Sequence, residues 1–152
     1  MLKNTEPIVK EFSINDFPKI CEVFMQTFNS PPWNDKNTIE TSRVYLQELL
    51  DNKRFVGFTL WKNDLLIGFV LCHTRYNWRG DDITIDIMCI LPNFQQKGYG
   101  KILFNAVENF SKNNSIICIG LHTGLNTPAF NFYEKLGFEQ DKESIFMRKE
   151  IK

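Results

Sequence analysis

Apolar positions fall at helical spacing in some stretches of this chain and at alternate places in others. Phe17, Ile20, Phe24 and Phe28 recur as one face of a helix, which predicts a helix ending near Phe28. The run "IVKEF" ahead of it reads as a first strand. Ser13 in "SIND", with Asp16 three residues on, reads as the cap between them. "NSPPWND" ends the helix, because Pro31 and Pro32 cannot continue one. A second helix is expected from about Thr38, with Ile39, Leu46, Leu49 and Leu50 on its inner stripe.

The period then shortens to two. "FVGFTLW", the turn "KND" and "LLIGFVLC" predict a hairpin over residues 55–72. Both strands are apolar on both faces, so both faces of the sheet should be covered. After the polar loop "RYNWRGDD", residues 83–91 read as a strand. Ile83, Ile85, Ile87 and Cys89 lie on one face, and Thr84, Asp86, Met88 and Ile90 on the other. A helix follows from about Gly98, with Tyr99, Ile102, Leu103, Ala106 and Phe110 on one side. Residues 115–122 read as the next strand. "NTPAFNFYEKLGF" reads as a compact helix that Thr127 caps, Pro128 opens and Gly137 stops. A final strand, "IFMRKEI", is expected to close the chain, with a short one at "FEQ" before it.

Hairpins come first and a strand-helix-strand crossover follows. That order predicts an α/β fold of the α+β kind: a central twisted mixed sheet with helices on both faces. Repeats, low-complexity tracts and linkers are absent from the sequence, so one domain over residues 1–152 is expected.

Charge narrows the partners. Lys plus Arg and Asp plus Glu number 18 each, for a net charge of zero. That argues against a general affinity for nucleic acid or anionic lipid. No apolar run reaches spanning length, and "MLKNTEPIVKEF" has no apolar core of a signal peptide. Cys21, Cys72, Cys89 and Cys118 are scattered among apolar neighbours. They read as buried thiols of a cytoplasmic protein, not as disulfides or metal ligands, and no metal is expected.

The chemistry concentrates in "LPNFQQKGYGK", residues 91–101, where a strand ends and a helix begins. A helix start presents unpaired N–H groups and the positive end of its dipole. Glycines there let a phosphate approach the backbone. Gly98 and Gly100, flanked by Lys97 and Lys101, therefore read either as an anion cradle or as a plain turn. A P-loop is excluded, because Ile102 follows Lys101 and Gln95 stands where its first glycine belongs. A dinucleotide fingerprint is excluded as well, because Leu103 fills its third glycine position.

What does match is Q-x-x-G-x-G, as Gln95, Gln96, Lys97, Gly98, Tyr99 and Gly100. It resembles the coenzyme A signature of the GCN5-related N-acetyltransferases (GNAT). "NTPAFNFYEKLGF", thirty residues later, is similar to that family's last helix with its A-x-x-F-Y-x-x-x-G-F pattern. The resemblance implies an acetyl-CoA-dependent N-acetyltransferase acting on a primary amine of a small molecule or peptide. The acetyl group would pass by direct attack in a ternary complex. The diphosphate would rest on backbone N–H groups of Gln96, Lys97, Gly98, Tyr99, Gly100 and Lys101, with Gln95 in the same signature. The pantetheine arm would pair with Met88 and Ile90, and the Met88 N–H would polarise the thioester carbonyl. Asn126 matches a position that often contacts CoA.

By the same resemblance Tyr133 is the proton donor to the leaving thiolate; its competing role is a core aromatic on the stripe Ala129, Phe132, Tyr133 and Leu136. The family's early-strand glutamate maps to Thr84, which cannot act as a base. Asp86, on the same face, is the candidate base or amine-binding group, with His122 and His73 behind it. Acceptor choice is implied to lie with Phe28 and Trp33 in the stretch after the first helix, with Trp78 in "RYNWRGDD", and with Asp86. Asp35, Asp81 and Asp82 would suit a cationic acceptor. A different class of function stays open, a non-catalytic module that senses acyl-CoA. A toxin-like attack on charged tRNA is disfavoured by the zero net charge. Oligomeric state is open, although relatives in the family pair through sheets or C-terminal strands.

Overall fold

The computed structural model describes residues 5–152. The chain divides into two compact units, one up to His122 and one over Thr123–Lys152.

In the first unit, strand β1 (Ile8–Glu11) leads through a single 3-10 turn to helix α1 (Phe17–Phe28). Ser13 accepts from the Asn15 N–H at 3.3 Å and caps that turn. Helix α2 (Ile39–Leu50) opens with a reciprocal cap. The Thr41 N–H donates to Thr38 Oγ1, and the Thr38 N–H donates to Thr41 Oγ1. Strands β2 (Phe55–Lys62) and β3 (Leu65–Arg75) form the hairpin. Asn63 and Asp64, both at positive φ, make its two-residue turn. Strand β4 (Asp82–Ile90), helix α3 (Tyr99–Asn113) and strand β5 (Cys118–Leu121) complete the crossover. The sheet runs β1-β2-β3-β4-β5, antiparallel until the last pair, which is parallel.

Helices cover both faces. Ile20, Cys21, Val23 and Phe24 of α1 and Leu46 of α2 pack on Phe69, Leu71, Ile87 and Cys89. On the other face Phe110 of α3 meets the Phe58 ring at 6.3 Å. Phe69 and Leu71 are fully buried, and each such side chain contributes about 2 kcal/mol of burial. No helix of the described residues is long and apolar enough to cross a membrane.

Three expectations need correction. The buried stripe of α3 is Leu103, Phe104, Val107 and Ser111, rotated from the expected one. Tyr99 is turned aside instead, its hydroxyl held by Lys62 Nζ at 2.6 Å. Strand β5 has four residues, not eight. Its expected start is held elsewhere: Ser115 sits at positive φ and the Ile116 N–H donates to Ser111 of α3. The third concerns the second unit, whose helix α4 (Pro128–Lys135) is followed by no strand over residues 139–152. "IFM" followed by "RKE" does not alternate, and within that unit no strand offers it a ladder. Asp141 instead accepts from the Glu143 N–H and the Ser144 hydroxyl in a local turn.

The thiols give a direct check of the core. Burial pushes Cys21, Cys72 and Cys89 up, and the Asp86 charge adds to the effect at Cys72. The thiolate is the reactive form, so these three should be inert in the native chain; Cys118 corrects the expectation of four buried thiols, because it opens β5 in an exposed position. A disulfide reagent is expected to label one thiol quickly and the rest only on unfolding. Three fast thiols would show a core open to solvent.

Candidate active site

The site begins where two strands part. Strands β4 and β5 pair from Asp82↔Cys118 to Ile85↔Leu121, where β5 ends. Strand β4 runs on to Ile90, still laced to β3 on its other side. The Leu91 N–H donates to the Ile67 carbonyl at 2.8 Å, so Leu91 faces β3. Antiparallel alternation then turns the N–H and C=O of Ile90, and of Met88, away from β3. The Ile90 carbonyl confirms the direction by accepting Gln95 Nε2 at 2.9 Å. Met88 and Ile90 thus present backbone N–H groups on an edge that β5 has left.

That edge leads into the glycine loop. A 3-10 turn over Pro92–Phe94 follows β4, and Gln95, clamped to Ile90, holds the loop against the strand end. Gln96 and Gly98 sit at φ 59° and 84°, and Gly98 caps α3 without a side-chain bond. The first helical bond is from the Ile102 N–H to the Gly98 carbonyl at 3.4 Å. Tyr99, Gly100 and Lys101 therefore carry the unpaired N–H groups of a helix start. Gln96, Lys97 and Gly98 are exposed beside them. Lys97 folds back, its Nζ donating to the Asn93 carbonyl at 3.0 Å, so its charge stays on the loop. Chemically this is a surface for an anion, and it fits a diphosphate whose tail runs along the Met88–Ile90 edge.

A carboxylate stands at the point of parting. In the β3–β4 ladder Leu71 faces Ile87 and Cys72 faces Ile85, so Asp86 is the extra residue of a β-bulge. Its Oδ2 lies 2.7 Å from Nδ1 of His73, and both side chains are about four-fifths covered, at 18% and 21% exposure. Tyr45 of α2 stands within reach of this charge. Burial, and then Asp86, raise its phenol above the ordinary range. Aromatic rings continue outward from there. Tyr45 stacks on Phe24 at 5.2 Å, Phe24 meets Phe28 at 4.9 Å, and Phe28 meets Trp33 at 5.0 Å. Between the end of α1 and the loop after β4 lies a cleft of roughly 500 Å³, whose polar lining (Gln26, Asn29, Ser30, Asn93) is uncharged.

Of the expected acceptor residues, the structure brings Phe28 and Trp33 together. Trp78 is 79% exposed, with the Arg79 guanidinium 5.0 Å over its ring. Asp81 is committed to Arg54 by an ion pair. In the second unit Thr127 caps α4 by accepting from the Phe130 N–H at 3.1 Å, after Asn126 at positive φ. Tyr133 is half-buried, with edge-on contacts to Phe132 at 5.1 Å and Phe138 at 5.4 Å. His122 is exposed at the end of the first unit. The sequence reading missed Phe24 and Tyr45, and it kept His73 and Asp86 apart. The ladder puts His73 opposite Thr84, and only the bulge brings Asp86 within reach of it, a feature with no signal in the local sequence.

A mixed sheet whose parallel strands part beside an N–H-rich helix start defines a class, the acetyltransferases that use CoA. Comparison with known proteins agrees. The Acetyltransferase (GNAT) family profile matches residues 17–138, and the chain belongs to that family. A [ribosomal protein bS18]-alanine N-acetyltransferase of Haemophilus influenzae is 26% identical over 133 residues, 88% of this chain and 82% of that one. An aminoglycoside N(6')-acetyltransferase type 1 of Salmonella typhimurium is 28% identical over 109 residues, 68% and 75% of the two chains. Among solved structures, the aminoglycoside N-acetyltransferase AAC(6')-Iy in complex with CoA superposes with a TM-score of 0.76 at 20% identity, covering 99% of both chains. That likeness speaks for the fold.

Proposed function

We propose that this chain transfers an acetyl group from acetyl-CoA to a primary amine of a small molecule or peptide, by direct attack in a ternary complex. One observation carries the reading: β4 outlasts β5 and turns the N–H groups of Met88 and Ile90 toward the gap, directly ahead of the glycine loop. Acetyl-CoA supplies an activated acyl carbon and a thiolate leaving group. Backbone N–H groups from Gln96 to Lys101 would hold its diphosphate, with Gln95 bracing the loop, and Met88 would steady the charge on the thioester oxygen. Asn126 is assigned a CoA contact. Asp86 supplies a negative charge for the acceptor's ammonium or its proton, and Phe28 and Trp33 an aromatic flank for its approach. Trp78, in the β3–β4 loop, belongs to the same acceptor assignment. Tyr133 would protonate the departing sulfur. Both compact units belong to one catalytic domain in this reading, since the family match runs through their boundary. The buried free thiols suit a reducing cytoplasm.

Calorimetry with acetyl-CoA, followed by thiol release with an alanine-headed peptide and with an aminoglycoside, tests this reading. No heat with acetyl-CoA would end it. Binding without release for any amine would favour the acyl-CoA sensor, a reading that rests on Thr84 standing where a family glutamate is usual. Tyr133→Phe is expected to lower turnover ~10–100-fold while acetyl-CoA affinity holds. Unchanged turnover would remove Tyr133 from the chemistry.

A further inference from the structure

We infer that the acceptor's proton is taken by Nε2 of His73, and that Asp86 acts on it as a positioning residue. The inference rests on the acyl-transfer reading and divides the labour within that site. His73 and Asp86 lie on neighbouring strands with Nδ1 and Oδ2 2.7 Å apart. A carboxylate accepts only, so Nδ1 holds a proton, and the neutral form of the ring would present its lone pair at Nε2. Near neutral pH an imidazole is a better acceptor of an ammonium proton than a carboxylate, because its ordinary range lies closer to that of an amine.

Position supports the assignment. Asp86 is the first residue of β4 beyond the last β4–β5 pair and two residues before Met88. Two residues of strand span about 7 Å, so a short relay of two waters would connect the dyad with an amine at the acyl carbon. Phe69, Leu71 and His73 alternate along β3, so His73 shares the sheet face that α1 and α2 cover. The aromatic run from Tyr45 to Trp33 lies on that face, so an amine guided along it arrives at the imidazole.

The ionisable groups around the ring are few. Asp86 faces it from β4, Cys72 adjoins it on β3, and Tyr45 of α2 lies within electrostatic reach of Asp86. Across β2 its partner is Phe55, and nearby Arg54 is tied to Asp81. The balance of the step is simple. The ammonium gives one proton to Nε2, and its freed lone pair forms the C–N bond. The C–S bond breaks with its electrons on sulfur, which takes the Tyr133 phenolic proton, and the second nitrogen proton returns to the Tyr133 phenolate. The proton on His73 then leaves to solvent.

The test uses the full chain, with an alanine-headed peptide and an aminoglycoside as acceptors. His73→Asn keeps an N–H for Asp86 but has no base at the Nε2 position. It is expected to lose about 100-fold in kcat with acetyl-CoA affinity and melting temperature unchanged. It should also lose the limb of the pH–rate profile that reports imidazole protonation. Nitrogen NMR of the wild type, with the signal absent in His73→Asn taken as His73, should show Nδ1 protonated and Nε2 bare. In Asp86→Asn the tautomer should become mixed. Wild-type turnover in His73→Asn, or a neutral ring with its proton on Nε2, would overturn the inference alone. A wild type that binds acetyl-CoA yet acetylates neither acceptor would overturn the transferase reading beneath it.

Discussion

Gly98→Glu is expected to abolish measurable binding of CoA and acetyl-CoA, a loss of at least ~100-fold, in a chain that still folds. Two effects combine, and they can be separated. Gly98 sits at φ 84°, a conformation that penalises any side chain by about 1–2 kcal/mol. A β-carbon there meets nothing within 4 Å, so the substitution strains the backbone without a clash. The larger effect is charge. The new carboxylate stands beside the N–H groups of Tyr99, Gly100 and Lys101, satisfies the helix start itself and repels a diphosphate. Gly98→Ala carries the strain alone and should keep CoA affinity within about 10-fold while melting a few degrees lower. Calorimetry of both variants with free CoA checks this. Wild-type affinity in Gly98→Glu would show that the phosphates are held elsewhere.

The loop was legible because its signals are local. Gln95, Gly98 and Gly100 are close in sequence, and their spacing requires no knowledge of distant partners. The same is true of the caps. Thr127, Pro128 and Gly137 marked the bounds of α4, and Thr38 marked the start of α2. The burial of Ile83, Ile85, Ile87 and Cys89 was legible too, but not their faces: the bulge at Asp86 leaves Ile87 and Cys89 opposite Leu71 and Phe69, and sets Ile85 and Ile83 opposite Cys72 and Thr74 on the other face. What escaped the sequence depends on pairing. The bulge at Asp86 exists only in the register with β3, and the meeting of His73 with Asp86 follows from that register. Tyr99 left the expected stripe of α3, and its hydroxyl is held by Lys62, 37 residues earlier. Residues 145–151 have strand-forming side chains, but a strand also needs a neighbour to complete its ladder.

Pairing also explains why a glycine far from the signature matters to the proposed cofactor edge. Gly68→Val is expected to destabilise the chain by about 3 kcal/mol, the upper end for overpacked positions, and to weaken acetyl-CoA binding at least ~10-fold. Gly68 faces Ile90 across the β3–β4 ladder. Leu91 and Ile67 are the hydrogen-bonded pair beside them, so Gly68 and Ile90 form the closely spaced pair. A β-carbon on Gly68 would lie 2.5 Å from Ile90 Cδ1 and 2.7 Å from the Cys89 carbonyl oxygen. The first contact is a side-chain tip and can move, but the second is backbone. Relief requires β4 to shift where Ile90 both anchors Gln95 and presents its N–H to the gap. Gly57 provides the contrast: a β-carbon there meets the Phe55 ring first, at 2.5 Å, and a ring can swing aside. Gly57→Val should therefore lower stability less and leave acetyl-CoA affinity within about 2-fold. Urea unfolding of both variants, paired with calorimetry, reads the two effects separately. Stability lost without affinity in Gly68→Val would mean that the Ile90 edge does not hold the pantetheine arm. Neither loss would mean that the strands pass with more room than these contacts allow.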